Sequence, residues 1–297
     1  MIVDGVEIED TFAEAFGMRA TRLIVTADSA GWARTAGETA TGFATSIIAC
    51  GVEAGIERTL EPSETPDGRP GIAILLFAIN REGLAKAVRD RVGQCILTCP
   101  GTACYAGMTE GDPVPLGRVL RYFGDGRQAA KRLAGRRFWR IPVMDGEFLC
   151  EDTVGQQKAI GGGNFLILGR SRAAVLAAAE RAIAAMRKLP DIVMPFPGGI
   201  VRSGSKLGSR YKGLSASSNL PYCPSVRGVV ETQLPEGANA VLEIVIDGLS
   251  EAAIAAATAS GIRAACAGSD GEILRISAGN YGGKLGAFHF HLRKLLA

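Results

Sequence analysis

The sequence predicts an α+β fold: two duplicated ferredoxin-like (βαββαβ) lobes with antiparallel sheets, an N-terminal lobe over 1–145 and a C-terminal lobe over 146–297. Three observations carry this. The chain has 297 residues, the length of two domains of about 150 residues each. A triplet repeats, Glu9-Asp10-Thr11 in the first half and Glu151-Asp152-Thr153 in the second. Each copy is followed by the same order of elements, β-α-β-β-α-β. That order is the split βαβ unit, an antiparallel sheet with two helices on one face. A cleft between two such lobes is a common place for a ligand.

The elements run as follows. In the first half, residues 22–26 (RLIVT) read as a strand leading into a small-residue helix. Residues 41–50 (TGFATSIIAC) read as a Gly-containing strand, and the turn-rich PSETPDGRPG follows. Residues 71–79 (GIAILLFAI) form the next strand, 82–92 a helix, and 95–99 within QCILTC a buried strand that closes the lobe. Residues 124–147 have no counterpart in the repeat and read as a hairpin or linker, with Arg132, Arg136, Arg137 and Arg140 on its surface. In the second half the strand is 164–168 (NFLIL) and the helix 172–188, capped by Ser171 and ended by Pro190. Residues 194–203 (MPFPGGIVRS) read as a strand, then come the loop YCPSVRGVVETQLPEG, the strand 240–246 (AVLEIVI), a helix 250–262 with Ser250 as N-cap, and a last strand at 272–277.

Composition removes several function classes. Thirty-three Lys and Arg against thirty Asp and Glu leave +3, so there is no polycationic face for nucleic acid. At 47% hydrophobic and 21% charged, the chain has material for a core and is not disordered. The longest clean apolar run, 72–79, is far short of the roughly 20 residues a membrane helix needs. The start, MIVDGVEIED, does not read as a secretory signal. Seven cysteines, an odd number with no C-x-x-C, fit reduced thiols, and a cytoplasmic protein is expected.

The only histidines, His289 and His291, alternate near the C-terminus and would share one strand face. They read as a solvent-facing or interface pair rather than catalytic or metal-binding groups. Cys95, Cys99 and Cys104 cluster, but in an apolar context they read as small hydrophobes. A Cys-dependent amidohydrolase is the rival reading. Four Gly-rich segments stand out: 161–164 (GGGN), 197–200 (PGGI), 204–209 (GSKLGS) and 278–286 (AGNYGGKLG). None has the strand-before, helix-after context of a dinucleotide loop, and no P-loop occurs. Two of them carry a lysine among small residues, Lys206 and Lys284, able to reach an anion. The loop 201–213 adds Arg202, Arg210 and Lys212 with three serines, a composition suited to a carboxylate- or phosphate-bearing small molecule. Glu243 interrupts an apolar strand and by alternation shares a face with Val241, Val245 and Asp247. A carboxyl half-buried there would have a raised pKa and could move protons near neutrality. The pattern equally fits an exposed edge residue or half of an ion pair.

Over essentially its whole length the chain resembles the formylmethanofuran:tetrahydromethanopterin formyltransferase family. The motifs are GVEIEDTFAEAF (5–16), TPDGRPG (65–71), FGDG (123–126), PFPGGIV (195–201), SKLGS (205–209), YCP (222–224) and SAGNYGGKLG (277–286). The bacterial members of methylotrophic formaldehyde oxidation are the more similar in charge. There the transferase works beside a formylmethanofuran hydrolase in one complex that releases formate. The resemblance implies two ferredoxin-like lobes, a homotetramer, and no permanently bound cofactor, with tetrahydromethanopterin and a methanofuran analogue as cosubstrates. It implies Glu243 as the acid–base carboxylate. Gly198, Gly199, Arg202, Ser205, Lys206, Asn280 and Lys284 are then expected to bind substrate. The chemistry expected is direct attack of the pterin N5 on the formyl carbon through a tetrahedral intermediate. A non-catalytic ligand-binding or scaffold subunit of a larger one-carbon complex is the alternative.

Overall fold

The computed structural model describes residues 1–297, and the chain divides into two compact units. One comprises Met1–Gly17 with Ile160–Ala297, the other Met18–Ala159. The N-terminal seventeen residues fall in the first of these because they pair with C-terminal strands. The chain opens with β1 (Ile2–Val3), β2 (Val6–Ile8) and β3 (Phe12–Thr26). β3 is longer than the expected RLIVT and leaves the first unit after Gly17.

In the Met18–Ala159 unit, β3 is followed by α1 (Ala30–Thr41), a single turn α2 (Ile47–Cys50), β4 (Glu53–Leu60), β5 (Gly71–Ala78), α3 (Arg81–Arg91) and β6 (Ala103–Ala106). Antiparallel pairing gives the order β4-β5-β3-β6. All eight residues of β5 are buried, which explains its uninterrupted apolar run. Two expected strands are corrected here. TGFATSIIAC holds the end of α1 and the turn α2; Ser46 caps that turn, and the strand begins only at Glu53. QCILTC is not a strand: a π-helical turn, Val92–Ile96, extends α3 through its first three residues, burying Val92 and Ile96 four residues apart on the core side, and the rest is a turn. The closing strand starts after the Pro100-Gly101 turn. Beyond it lie the short β7 (Val114–Pro115) and α4 (Gly117–Leu120), then a meander of β8 (Ala129–Leu133), β9 (Arg136–Val143) and β10 (Gly146–Glu151), which joins β6 in parallel. Of the four arginines there, Arg136 is paired with Glu151 and Arg140 with Glu147. β11 (Thr153–Val154) pairs with β7.

β12 (Gln157–Gly169) carries the chain into the other unit. There follow α5 (Arg172–Met186), β13 (Ile192–Val193), the two-strand ribbon β14 (Lys206–Leu207) and β15 (Ala216–Ser217), β16 (Ala240–Gly248), α6 (Glu251–Cys266), β17 (Ile273–Ser277), β18 (Phe288–His291) and α7 (Leu292–Leu296). The sheet order is β13-β16-β12-β17-β2-β1, and β18 pairs with Phe12–Ala15 of β3. Ser171 and Ser250 cap α5 and α6 by accepting the N–H groups of Ala174 and Ala253. α5 ends at Met186, before Pro190 is reached. MPFPGGIVRS is not a strand: its Pro-Gly-Gly forms a 3₁₀ turn with Gly198 and Gly199 at positive φ, and only Val201 bridges to the sheet.

α5 and α6 cover one face of this sheet. Val175, Ala178, Ala179, Ala182, Ile183 and Met186 of α5 meet Ile254, Ala257, Ile262 and Ala265 of α6 over Phe165, Ile167, Ile244 and Ile246. The helices approach closely because small residues line the contact; a Cβ on Gly261 would stand 2.6 Å from the Met186 sulfur. The opposite face of the same strands is left for other side chains.

Candidate active site

Strand pairing places Glu243 on that opposite face. β16 alternates Leu242, Ile244 and Ile246 into the helix-side core, so Glu243 points the other way with Val241 and Val245. In register, Glu243 lies opposite Leu166 of β12, and Leu166 lies opposite Ser277 of β17. The row Glu243–Leu166–Ser277 is therefore one line across three strands. Val201 locks the strand from its other edge: its N–H donates to the Glu243 carbonyl at 2.7 Å and its carbonyl accepts from the Glu243 N–H at 3.0 Å.

Glu243 is 9% exposed. Burial pushes its carboxyl up to about 7, into the range where a carboxyl can exchange a proton near neutrality. It lines a small cavity of about 30 Å³ with Arg202, Ser203, Asn219, Tyr222 and Cys223, a volume that suits one or two waters or a small group. The Tyr222 hydroxyl shares a 3.2 Å hydrogen bond with the Ser277 hydroxyl, which ties the 220–223 turn to the row. Burial holds the Tyr222 phenol in its protonated form, only partly countered by Ser277.

The other expected substrate-binding residues are distributed around this centre. Arg202 lines the same cavity and is exposed. Ser205 hydrogen-bonds the Tyr281 side chain. Lys206 pairs with Ser217 in the ribbon, half-buried, and does not line the cavity. Gly198 and Gly199 form the turn that leads into Val201; a Cβ on Gly199 would stand 2.5 Å from the Ile183 side chain. Asn280 and Lys284 are exposed on the 278–286 loop, where Asn280 donates to Thr11 Oγ1 at 3.0 Å and accepts the N–H of Gly282 at 3.2 Å. Of these residues only Arg202 shares the Glu243 cavity; Gly198, Gly199, Ser205, Lys206, Asn280 and Lys284 lie outside it.

Tyr281 was not legible as a site residue. It is half-buried; burial and then the Glu243 and Glu14 carboxylates push its phenol up, while Ser205 pulls it down. The only sequence signal was an aromatic inside a Gly-rich run. A second missed group lies in the Met18–Ala159 unit. Asp67 Oδ2 accepts from Thr26 Oγ1 (2.8 Å), Tyr105 OH (3.0 Å) and Arg69 Nε (2.9 Å), beside a cavity of about 330 Å³. The TPDGRPG motif was its signal.

The cysteines of the rival reading are not set up as nucleophiles: burial pushes the Cys95 and Cys99 thiols up, and Cys104 lies in the core. The histidines do share a face, both tilted against the Phe12 ring, at 4.7 Å for His289 and 5.3 Å for His291. No helix is long and apolar enough to cross a membrane.

Residues 1–143 match the family model described as formylmethanofuran-tetrahydromethanopterin formyltransferase, and residues 146–295 match the model of its proximal lobe. The formylmethanofuran–tetrahydromethanopterin formyltransferase of Methylococcus capsulatus is 61% identical, with the whole of both chains covered. The crystal structure of the formyltransferase/hydrolase complex of Methylorubrum extorquens with methylofuran contains a chain with TM-score 0.97 and 53% identity, covering 100% of this chain and 99% of that one. The enzyme of Methanosarcina barkeri gives 0.94 at 47% identity, covering 99% and 100%.

Proposed function

We propose, for a chain that belongs to the formylmethanofuran–tetrahydromethanopterin formyltransferase family, that it moves a formyl group between a methanofuran-type amine and N5 of tetrahydromethanopterin by direct attack. Each unit, in this reading, is a ferredoxin-like lobe, supported by the β-α-β-β-α-β order and the pairing of the first strand between the third and the fourth.

The single observation that carries the mechanism is Glu243, a buried carboxyl raised to about 7 at the edge of a small cavity with a mixed polar and apolar lining. An amide carbonyl is a weak electrophile. Transfer needs a proton taken from the attacking amine and one delivered to the leaving amine. A carboxyl balanced near neutrality does both in turn, a contribution on the order of 10²- to 10⁴-fold. The tetrahedral oxyanion needs hydrogen-bond donors, worth about 3 kcal/mol each; backbone N–H groups of the Gly-rich loops are our candidates. Holding two large substrates together supplies much of the remainder. Arg202, Lys206, Arg210 and Lys212 would receive the anionic tails of the substrates.

Glu243→Gln keeps the shape and removes the proton exchange. We expect turnover to fall about 10²-fold or more with both KM values nearly unchanged. Turnover near the wild-type value would remove Glu243 from the chemistry, and a trapped formyl-protein adduct would exclude direct transfer.

A further part of the reading is a homotetramer that docks beside a hydrolase and works in formaldehyde oxidation to formate; the Methylorubrum relative, a subunit of a formyltransferase/hydrolase complex, supports the docking. Native mass spectrometry showing only a monomer would remove it.

A further inference from the structure

We infer that Glu14 and Asn164 are positioning residues that hold the 278–286 loop in one conformation and so fix Tyr281 beside Glu243. The inference rests on the acid–base role proposed for Glu243.

Glu14 is 0% exposed, between Ala13 and Ala15 of β3, which are also fully buried. A carboxylate there must be fully hydrogen-bonded to be tolerated. It is. One oxygen accepts the N–H groups of Tyr281 (2.7 Å) and Gly283 (2.9 Å), the other those of Leu285 (2.6 Å) and Gly286 (2.5 Å). Burial pushes the carboxyl up, but these four donors outweigh it and hold it below the usual range. Four N–H groups converging on one anion make a backbone nest. Its shape needs glycine: Gly282 and Gly283 have φ of 78° and 68°, and a Cβ on Gly286 would stand 2.3 Å from the Ala15 carbonyl oxygen.

Asn164 grips the start of the loop. Its Oδ1 accepts the Gly279 N–H at 2.6 Å, and its Nδ2 donates to the Gly279 carbonyl at 3.1 Å. Asn164 lies two residues before Leu166 on β12, so it shares the sheet face of Glu243. The loop itself leaves β17 directly after Ser277, the end of the Glu243–Leu166–Ser277 row. Two anchors on the sheet thus clamp a nine-residue segment that starts at the end of the Glu243 row and carries one aromatic, Tyr281, whose phenol feels the Glu243 charge. Its ring also packs against Phe16, 6.0 Å between centroids. Tyr281 is the group through which the clamp reaches the reaction. In this inference its phenol donates a hydrogen bond where charge develops, which requires that the backbone below it does not move.

The test is a double-mutant cycle in the full-length protein, with formylmethanofuran and tetrahydromethanopterin as substrates. Melting curves first establish that each variant is folded. Glu14→Gln should lower kcat about tenfold or more with KM changed less than about threefold, because the lesion lies in positioning. Amide exchange at 281, 283, 285 and 286 should accelerate. Tyr281→Phe alone should also lower kcat, and adding Glu14→Gln to it should cost little more, since the clamp acts through that phenol. A kcat within twofold for Glu14→Gln, an inert Tyr281→Phe, or losses that multiply in the double variant would each overturn the inference. If Glu14→Gln does not fold, Asn164→Ser enters the same cycle and decides it. Failure of the functional reading looks different: wild-type protein without formyl transfer, or Glu243→Gln as active as wild type, whatever the amide exchange shows.

Discussion

Glu243→Gln should stabilise this protein at alkaline pH. A buried carboxyl whose pKa is about 7 in the fold and near 4.5 in the unfolded chain resists ionisation only while folded. Below pH 4.5 both states hold the proton and nothing is lost. As pH rises from 4.5 to 7 the unfolded chain releases its proton first, so the fold loses stability. Above 7 the whole penalty stands. The gap between 4.5 and about 7, at about 1.4 kcal/mol per pH unit, is about 3 kcal/mol. Glutamine is neutral throughout and fills nearly the same volume. Urea unfolding of wild type and variant, at one protein concentration and at pH 4, 6 and 8, measures the difference. It should be near zero at pH 4, intermediate at pH 6 and about 3 kcal/mol in favour of the variant at pH 8. A difference that is flat across pH, or a variant less stable at pH 8, refutes the reasoning. The same atom would then carry the protein's catalytic proton and a standing cost to its fold, the exchange expected of an acid–base group placed in a core.

Two predictions concern structure alone. Gly199→Ala places a side chain at φ 91° and within 2.5 Å of Ile183, and should lower stability by about 1–3 kcal/mol in thermal melts. Arg22→Ala removes the two-pronged partner of Glu57, whose side chain is 2% exposed, at 2.6 and 2.7 Å, and should cost about 3 kcal/mol or more; Arg22→Met with Glu57→Leu should recover most of it, which a denaturant titration checks.

Kinship with formyltransferases was legible in the motifs themselves, and the order of elements in the βαββαβ repeats largely so. Helices α5 and α6 announce themselves through apolar spacing and serine caps, signals that lie within one turn of each residue. Glu243 was legible for the same reason: strand alternation has a period of two, so one acid in AVLEIVI is conspicuous without knowing its neighbours. QCILTC failed because a six-residue, mostly apolar run fits a helix end as well as a strand, and only packing of Val92 and Ile96 against the core chose between them. Glu14 shows the other limit. In FAEAF it reads as an outward strand residue, yet it is wholly buried, since its four partners lie 267 to 272 residues away along the chain. Local pattern decided which residues become strands and helices and which strand carries the acid. Tertiary structure alone decided how deeply that acid is buried and that a second carboxylate, Glu14, holds the 278–286 loop, because burial and hydrogen bonding between distant segments leave no periodic trace in the sequence.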